Sequence, residues 1–308
     1  MTKQLITRPR RQFDVLKFKT EGDWLLQRKF GIGASEAPAL LGLSRWSNPL
    51  QVWGEKVGIL EHQNIDSIML RTGHALENLN AEVLEENAQL EAHNPGEYTI
   101  YQSRNIPYLF CTPDRVVTHT DWGKGICELK RSNMGIVERP EYYVQLQHSL
   151  AVTGYDWGCV CVLAMDDWQW FRYDRNEEFI KNLLRVYEEF WYHVATKTMP
   201  QAEPTAAVND TLKLIYKQDD GSHVVLPPEF KDVDAEYARI SEAMKAANKV
   251  VSELKAERDK LECRFREAIG TSQSAEIDGV VYTLDTTYRK PQEATSFRAL
   301  RRKVKKGD

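Results

Sequence analysis

Hydrophobic and polar positions alternate with two different periods over most of the chain. From residue 21 to about residue 194, stretches with apolar residues three or four apart, typical of helices, alternate with short stretches rich in β-forming residues. The helical period is clearest in residues 69–90, where the apolar face is formed by Leu76, Leu79, Val83 and Leu84. This alternation predicts one mixed α/β domain.

Strand-like stretches follow the long helix. They cover residues 98–101, 108–117 and 125–130, and turn residues separate them, so three or more antiparallel strands are expected. Arg139-Pro140 then begins a helix that ends at Gly154, two more strands are expected at 158–165 and 168–173, and a closing helix at 177–194. The order predicts a mixed central sheet flanked by helices.

The C-terminal third has a different pattern. Prolines and an Asp219-Asp220-Gly221 turn indicate a linker over 201–230 that carries a weak hairpin of its own. Beyond it, apolar residues alternate at intervals of three and four, as in a coiled coil, from Tyr237 to Ala268, with Arg258 as the one break. We therefore expect a domain at 1–200, the linker, and a helical extension at 231–308 that ends in a small hairpin and a basic tail.

Composition and charge narrow the class of protein. The chain has 308 residues, 42% of them hydrophobic and 28% charged, which is ordinary for a folded globular protein. Its five cysteines contain no CxxC pair, so neither a disulfide framework nor a zinc or iron–sulfur site is expected. No apolar run is long enough to span a membrane, which favours a cytoplasmic protein without a membrane partner. The net charge of −4 does not exclude nucleic acid, because enzymes acting on polyanions concentrate positive charge in a groove.

Candidate chemistry lies on two neighbouring predicted strands. Asp114 follows Pro113 near the end of one strand, and Glu128-Leu129-Lys130 occupies the middle of the next. Because side chains alternate across a strand, Glu128 and Lys130 share one face while Leu129 points into the core and leaves its carbonyl near the same edge. Two carboxylates and a carbonyl suit Mg²⁺, with Mn²⁺ as a substitute. The alternative interpretation is a turn aspartate and a solvated strand face.

Five short motifs, in a fixed order over about residues 20–195, resemble those of a known family. They are R-K-F-G-I-G-A-S-E from Arg28, G-H-A-L-E ending at Glu77, T-P-D from Thr112, E-L-K from Glu128, and Y-Y-V-Q-L-Q, which contains Gln145 and Gln147. The chain thus resembles the lambda-exonuclease and YqaJ-type viral recombinase family of phage alkaline exonucleases. That resemblance implies the restriction-endonuclease-like fold of the PD-(D/E)xK superfamily, extended here by the C-terminal helix and hairpin.

The resemblance also implies roles for individual residues. Asp114 and Glu128 would bind metal with help from the Leu129 carbonyl, Lys130 would orient the attacking water, and Glu77 would hold a second metal through water. A 5′-phosphate would be received by Arg28, Ser35 and Thr112, although Thr112 stands where serine is more usual. Taken alone, Arg28 is equally an ordinary surface arginine, Ser35 a helix N-cap and Glu77 a solvated charge.

Two further candidates are weaker on physical grounds. Gln145 and Gln147 are two residues apart on one helix, so at most one is expected to reach the active site. Arg45 lies in a loop from which it would probe a duplex groove, or it is a surface arginine.

The function implied by the resemblance is a 5′→3′ exonuclease on linear double-stranded DNA. It would prefer 5′-phosphorylated ends and leave 3′ overhangs for a single-strand annealing protein in phage-type recombination, as a homo-oligomer that is trimeric in the family. The same metal centre serves structure-specific or restriction-like endonucleases, and a 5′-phosphate pocket separates the two. A non-catalytic DNA-binding recombination subunit is a third hypothesis, against which the intact Asp114, Glu128 and Lys130 argue.

Overall fold

The computed structural model describes residues 12–61, 68–133, 135–288 and 296–304. The chain divides into two compact units, Met1–Asp220 and Gly221–Asp308. Among the described residues, no helix has both the length and the apolar character needed to cross a bilayer.

The first unit contains two β-sheets. One has the order β1-β4-β5-β2, formed by Phe13–Lys17, Thr99–Ser103, Leu109–Cys111 and Ile32–Gly33. The other has the order β3-β6-β7-β8-β9, formed by Glu91–His93, Arg115–His119, Gly123–Arg131, Trp157–Leu163 and Trp168–Asp174. The β2–β5 and β7–β8 pairs are parallel and the remaining pairs are antiparallel. The mixed α/β class predicted from the sequence is therefore confirmed.

The helices of the first unit begin and end at recognisable capping residues. They are α1 (Glu21–Arg28), α2 (Ala37–Leu40), α3 (Pro49–Val57), α4 (Ile68–Ala88), α5 (Pro140–Thr153), α6 (Glu177–Thr196) and α7 (Ala206–Ile215), with a 3₁₀ turn at Ala34–Glu36. Asn48 caps α3 by accepting a hydrogen bond from the Gln51 N–H, and Gly154 ends α5 in the left-handed conformation at φ 68°. These caps fix where the helices that border the site begin and end.

Helix α5 is the central element of the first unit. It connects the parallel strands β7 and β8, and a parallel pair requires such a crossover. It contacts strands of both sheets, and Leu146 and Leu150 are fully buried in the main core. A second core lies on the other face of the five-stranded sheet, where Leu84 of α4 packs with Cys127 and Trp157.

The single strand expected at 108–117 is instead two strands in two sheets. The chain leaves β5 after Cys111 and enters β6 at Arg115, with Pro113 buried between them. Proline lacks an N–H for a sheet ladder, so a break at this position is physically reasonable. Asp114 therefore lies at the start of β6 and not at the end of a long strand.

The predicted linker at 201–230 contains an ordered helix. Thr205 caps α7 by accepting from the Val208 N–H, and the Asn48 amide donates to the Thr211 hydroxyl at 2.9 Å. Val208 and Thr211 are buried, so α7 is part of the first unit, which continues to Asp220. No hairpin forms among these described residues.

The second unit consists of a long helix and a small antiparallel sheet. Helix α8 runs over Phe230–Ile269, and the sheet has the order β10-β11-β12, formed by Ser274–Ile277, Val280–Tyr288 and Ser296–Val304. Asp278 and Gly279 both have positive φ and make the tight turn between the first two strands. The predicted helix and hairpin are confirmed. Most of the expected basic tail belongs to β12, and Lys305 and Lys306 fall outside the described residues.

Candidate active site

The centre of the candidate site is a pair of carboxylates on adjacent strands. Arg115 of β6 pairs with Cys127 of β7; Asp114 directly precedes this pair on one chain segment and Glu128 directly follows it on the other. Asp114 is fixed there because its Oδ2 atom accepts a hydrogen bond from the Leu129 N–H at 2.7 Å. The sequence expectation that Asp114 converges on the E-L-K strand thus agrees with the geometry.

Glu128 is buried and surrounded by hydrogen-bond donors. Its Oε2 accepts from Lys130 Nζ at 3.0 Å and from Gln145 Nε2 at 2.5 Å, and its Oε1 accepts from the Ser149 hydroxyl at 3.3 Å. Burial, together with the charge of Asp114, raises the pKa of Glu128 to about 7, although Lys130 acts to lower it. The group thus has two carboxylates and one ammonium.

Lys130 stays cationic in this environment. Burial acts to lower its pKa, but the charges of Glu128 and Asp114 outweigh burial and raise that pKa above the ordinary value. Its ammonium also lies 5.9 Å from the ring centre of Tyr142 on α5. We call Asp114, Glu128, Lys130 and Gln145 the carboxylate centre.

Glu77 approaches the carboxylate centre from α4. The side chain is partly buried, and both burial and the charge of Asp114 raise its pKa. Helix α4 is held against the sheet by Asn80, whose amide nitrogen donates to the Cys161 carbonyl at 3.3 Å and whose oxygen accepts from the Trp168 indole at 2.7 Å. Nearby, Arg115 donates to Asn78 Oδ1 at 2.6 Å and ties the helix to β6.

The two glutamines of α5 make different contacts, as their spacing on the helix predicted. Gln145 reaches Glu128, whereas Gln147 is fully buried away from it. Gln147 donates to the Asp174 carbonyl at 2.9 Å and accepts from the Asn176 N–H at 2.9 Å. Gln147 therefore joins α5 to the β9–α6 connection, and its assignment as a catalytic candidate was wrong on geometry.

A second polar cluster forms around Arg28 at the end of α1. The guanidinium donates to the Ser35 hydroxyl at 2.9 Å, lies 3.9 Å from Glu36, and stacks 4.8 Å from the Trp24 ring centre. Lys56 of α3 donates to Glu36 at 2.7 Å and to the Arg28 carbonyl at 2.7 Å, with its side chain only 3% exposed. We call Arg28, Ser35, Glu36 and Lys56 the Arg28 cluster.

The charges of the Arg28 cluster are mutually satisfied. Burial alone would raise the pKa of Glu36, but Lys56 and Arg28 outweigh it and lower that pKa. Glu36 also accepts from the Gly33 N–H at 2.8 Å, which fixes the loop that presents Ser35. Burial lowers the pKa of Lys56, against the attraction of Glu36.

One cleft of about 230 Å³ is lined by residues from both groups. Its lining includes Ser35 and Arg45 on one side and Lys130 and Gln145 of the carboxylate centre on the other. Arg45 is exposed at this cleft, as is Trp46 beside it. Thr112 is exposed directly after β5, two residues beyond Phe110, which pairs with Gly33 in the same sheet.

The donors of the carboxylate centre fit a hard divalent cation. Asp114 accepts from the Leu129 N–H, directly beside Glu128, so the two carboxylates are neighbours, and burial makes the charged form of Glu128 costly without a nearby cation. A softer group lies behind the same strand, where the sulfur atoms of Cys127, Cys159 and Cys161 lie within 4.8 Å of one another. These three thiols are buried in the apolar second core.

Sequence reasoning did not assign Lys56 or Glu36 to the site. Glu36 appears in the sequence only as the last residue of the R-K-F-G-I-G-A-S-E motif. Lys56 lies 20 positions later on α3, and only the fold shows that this lysine meets Glu36. The signal that was available is the spacing of Lys56 three and four residues after Trp53 and Val52, two apolar residues of α3 that lie in the main core.

The fold and the site thus define a mixed α/β domain with a cleft lined by Ser35 of the Arg28 cluster and by Lys130 and Gln145 of the carboxylate centre. Residues 23–156 match the family model described as the YqaJ-like viral recombinase domain. Over these residues the chain is similar to the YqaJ-like viral recombinase family, in agreement with the resemblance carried by the five motifs.

One relative aligns with most of the chain at low sequence identity. The uncharacterized protein YqaJ of Bacillus subtilis (strain 168) is 25% identical over 301 residues, spanning 90% of this chain and 92% of the relative. This alignment therefore extends into the second unit, beyond the residues whose motifs carried the resemblance.

Solved structures with some likeness include two exonucleases. The alkaline exonuclease LHK-Exo of Laribacter hongkongensis is 18% identical with a TM-score of 0.48, covering 57% of this chain and 93% of that one. A phage-related exonuclease of Haemophilus somnus 129PT is 11% identical with a TM-score of 0.39, covering 54% of this chain and 96% of that one.

Proposed function

We propose that this protein is a metal-dependent deoxyribonuclease that degrades linear duplex DNA from its 5′ ends. The observation that carries the proposal is one cleft lined both by Ser35, which Arg28 holds, and by Lys130 and Gln145, which contact Glu128. A phosphodiesterase needs a cation site for the scissile phosphate, and an end-specific one also needs a site for the terminal phosphate. Residues at the cleft are candidates for the cation site and for the terminal-phosphate site.

In this proposal, Asp114 and Glu128 hold Mg²⁺, or Mn²⁺ in its place, with the Leu129 carbonyl as a third oxygen and Glu77 supporting a second ion through water. When bound, such an ion stabilises charge on the scissile phosphate and favours ionisation of water. Lys130, kept protonated by the carboxylates, holds the attacking water by hydrogen bonding and offsets charge as the phosphate becomes pentavalent. Gln145 keeps the Glu128 carboxylate oriented.

The Arg28 cluster is the proposed receiver of the 5′-phosphate. The Arg28 guanidinium and the exposed Ser35 hydroxyl are donors already held together, and a guanidinium offers phosphate two parallel hydrogen bonds. Lys56 and Glu36 do not donate to the ligand in this proposal. They hold the Arg28 carbonyl and the Ser35 loop in place, which reduces the ordering cost of binding. Thr112 and Arg45 are the proposed flanking contacts to the DNA backbone.

Removal of nucleotides from the 5′ strand would leave a 3′ single strand. We propose that a single-strand annealing protein receives this product, which is the role in recombination that the family name suggests. A structure-specific endonuclease with the same centre is the competing function, and a terminal phosphate would be irrelevant to it.

The test is a digestion of linear duplex DNA with a label at one end. Substrates carry a 5′-phosphate or a 5′-hydroxyl, and reactions contain Mg²⁺ or EDTA. We expect metal-dependent loss of nucleotides from phosphorylated 5′ ends, abolished in Lys130→Ala and unchanged in Lys213→Ala, an exposed lysine of α7. Arg28→Ala should slow digestion of phosphorylated ends about tenfold or more while leaving the slower hydroxyl-end reaction nearly unchanged.

The other outcomes are equally informative. Cleavage of closed circular DNA, indifferent to end chemistry, would replace the exonuclease with an endonuclease. Binding of DNA without metal and without any cleavage would contradict an enzymatic function and would favour a non-catalytic DNA-binding subunit.

A further inference from the structure

The long helix of the second unit carries an apolar stripe with a strict period. Ten positions of α8 alternate at intervals of three and four residues, and they are Phe230, Val233, Tyr237, Ile240, Met244, Ala247, Val251, Leu254, Arg258 and Leu261. A period of 3.5 residues, sustained over more than four heptads, is the pattern that winds one helix around another. We call these ten residues the α8 seam.

The α8 seam is exposed in the single chain. Its eight large apolar side chains are between 43% and 73% exposed, and Ala247 is exposed as well. The stripe is covered only beyond Leu261, where Phe265 stacks on Tyr282 of the small sheet at 4.2 Å and Ile269 is buried. An isolated helix gains little from such a stripe, so the seam is a surface built for a second helix.

The size of the seam suits a stable pair. Eight large side chains at about half exposure present on the order of 800 Å², which is about the area each partner buries in a standard protein interface. The occupant must also carry a 3.5-residue repeat over a similar length, since a different period drifts off the stripe within a few turns. A second copy of α8 meets this requirement.

The charges along the helix decide the direction of pairing. In a parallel pair in register, Arg258 would face its own copy within the seam, and Glu257 would lie beside Glu262 of the other chain. Both contacts join like charges. A parallel pair would also place Ala247 against Ala247 and Tyr237 against Tyr237, which leaves one layer underfilled and another crowded.

We propose that α8 pairs antiparallel with α8 of a second copy of this chain. Aligning the ends of the exposed seam places Phe230 opposite Leu261, Tyr237 opposite Leu254, and Met244 opposite Ala247, so large residues face smaller ones. Flanking this stripe, Asp234 comes opposite Lys255 of the other chain.

The antiparallel pairing also gives Arg258 a counter-charge. It comes opposite Val233 of the second copy, in the turn that carries Asp232, Asp234 and Glu236. Glu257 and the second copy's Glu236 flank this layer with the guanidinium between them. The break in the apolar stripe therefore becomes a device that sets the direction and register of the pair.

Disulfide trapping in the full-length protein tests this pairing. Two variants, Tyr237→Cys and Leu254→Cys, are made in a Cys263→Ser background, because Cys263 is an exposed thiol of the same helix. Under mild oxidation we expect covalent dimers when the two variants are mixed and almost none from either variant alone. Covalent dimers from either variant alone would show parallel pairing and overturn the proposal.

Sedimentation measures the same association without a cross-link. The wild-type chain should change its mass with dilution, and Ile240→Glu should reduce association at least tenfold. Ala256→Glu adds the same charge to the opposite face of α8 and should leave association unchanged. A mass that Ile240→Glu does not alter, together with no cross-linking in the mixture, would refute the α8 pair. Neither readout depends on nuclease activity.

Discussion

Two buried glutamate–lysine pairs lie in the same unit and behave in opposite ways. In the Arg28 cluster, one carboxylate faces two cations, and the pKa of Glu36 is lowered. In the carboxylate centre, Glu128 and Asp114 have one lysine between them, and burial with the charge of Asp114 raises the pKa of Glu128 to about 7. The first pair is electrostatically complete with positive charge to spare, so it suits an anion. The second has excess negative charge, so it suits a cation.

The largest expected effect comes from neutralising the incomplete pair. Glu128→Gln should reduce metal-dependent cleavage by about 10⁴-fold, because it removes a metal-binding charge. Without metal, its free energy of unfolding should stay within about 1 kcal/mol of wild type, since the substitution also relieves repulsion with Asp114. Cleavage rates and urea denaturation in EDTA measure the two effects. A variant that unfolds without metal would contradict the idea that Glu128 is held for function.

Breaking the complete pair should do the reverse. Lys56→Met leaves Glu36 buried without its nearest cation and removes a donor from the Arg28 carbonyl, so we expect a loss of about 4 kcal/mol in the free energy of unfolding. Urea denaturation measures it, and Lys213→Met, which breaks an exposed pair, is the control. Adding Glu36→Gln to Lys56→Met should restore part of the loss. Equal stability of Lys56→Met and wild type would show that the Lys56–Glu36 pair does not stabilise the fold.

A smaller effect concerns His148, which lies between the two pairs on α5. Burial lowers its pKa to about 4, although its hydrogen bond to the Phe110 carbonyl and the charge of Glu36 act to raise it. The unfolded chain binds a proton near pH 6.5, so the contribution of neutral His148 is fully present above that pH. It is lost as the pH falls from 6.5 to 4, and amounts to about 3 kcal/mol.

Denaturation at a series of pH values measures the His148 effect. The Glu128→Gln background removes the overlapping titration of that carboxylate. In it, His148→Asn should flatten the fall in stability between pH 6.5 and 4. An unchanged slope would assign the fall to other groups.

The sequence was most informative where a local pattern sets the geometry. Alternation along β7 is enough to place Glu128 and Lys130 on one face, and helical spacing is enough to separate Gln145 from Gln147. The 3.5-residue period of α8 is likewise a purely local signal. Each of these depends on the backbone of one element alone.

Features that depend on two distant elements were not predictable in this way. Lys56 meets Glu36 because α3 packs beside the loop of β2, and no spacing in the sequence encodes that approach. Helix α7 falls within the predicted linker because Pro200 and Pro204 precede it and the polar Asp219-Asp220-Gly221 turn follows it, while only Val208 and Thr211 of the helix are buried. The division of residues 108–117 between two sheets was missed because β5 and β6 are each apolar enough to look like one strand.

The division of residues 108–117 between two sheets bears on where the proposed nuclease would cleave DNA. Only Thr112, Pro113 and Asp114 separate the sheet that carries the Ser35 loop from the sheet that carries Glu128. Such a short and stiff connection fixes the distance between the place where a DNA end would be held and the place where a bond would be broken. Under the proposed function, a residue inserted before Thr112 would change the distance between these two places, and with it the length of DNA that fits between them.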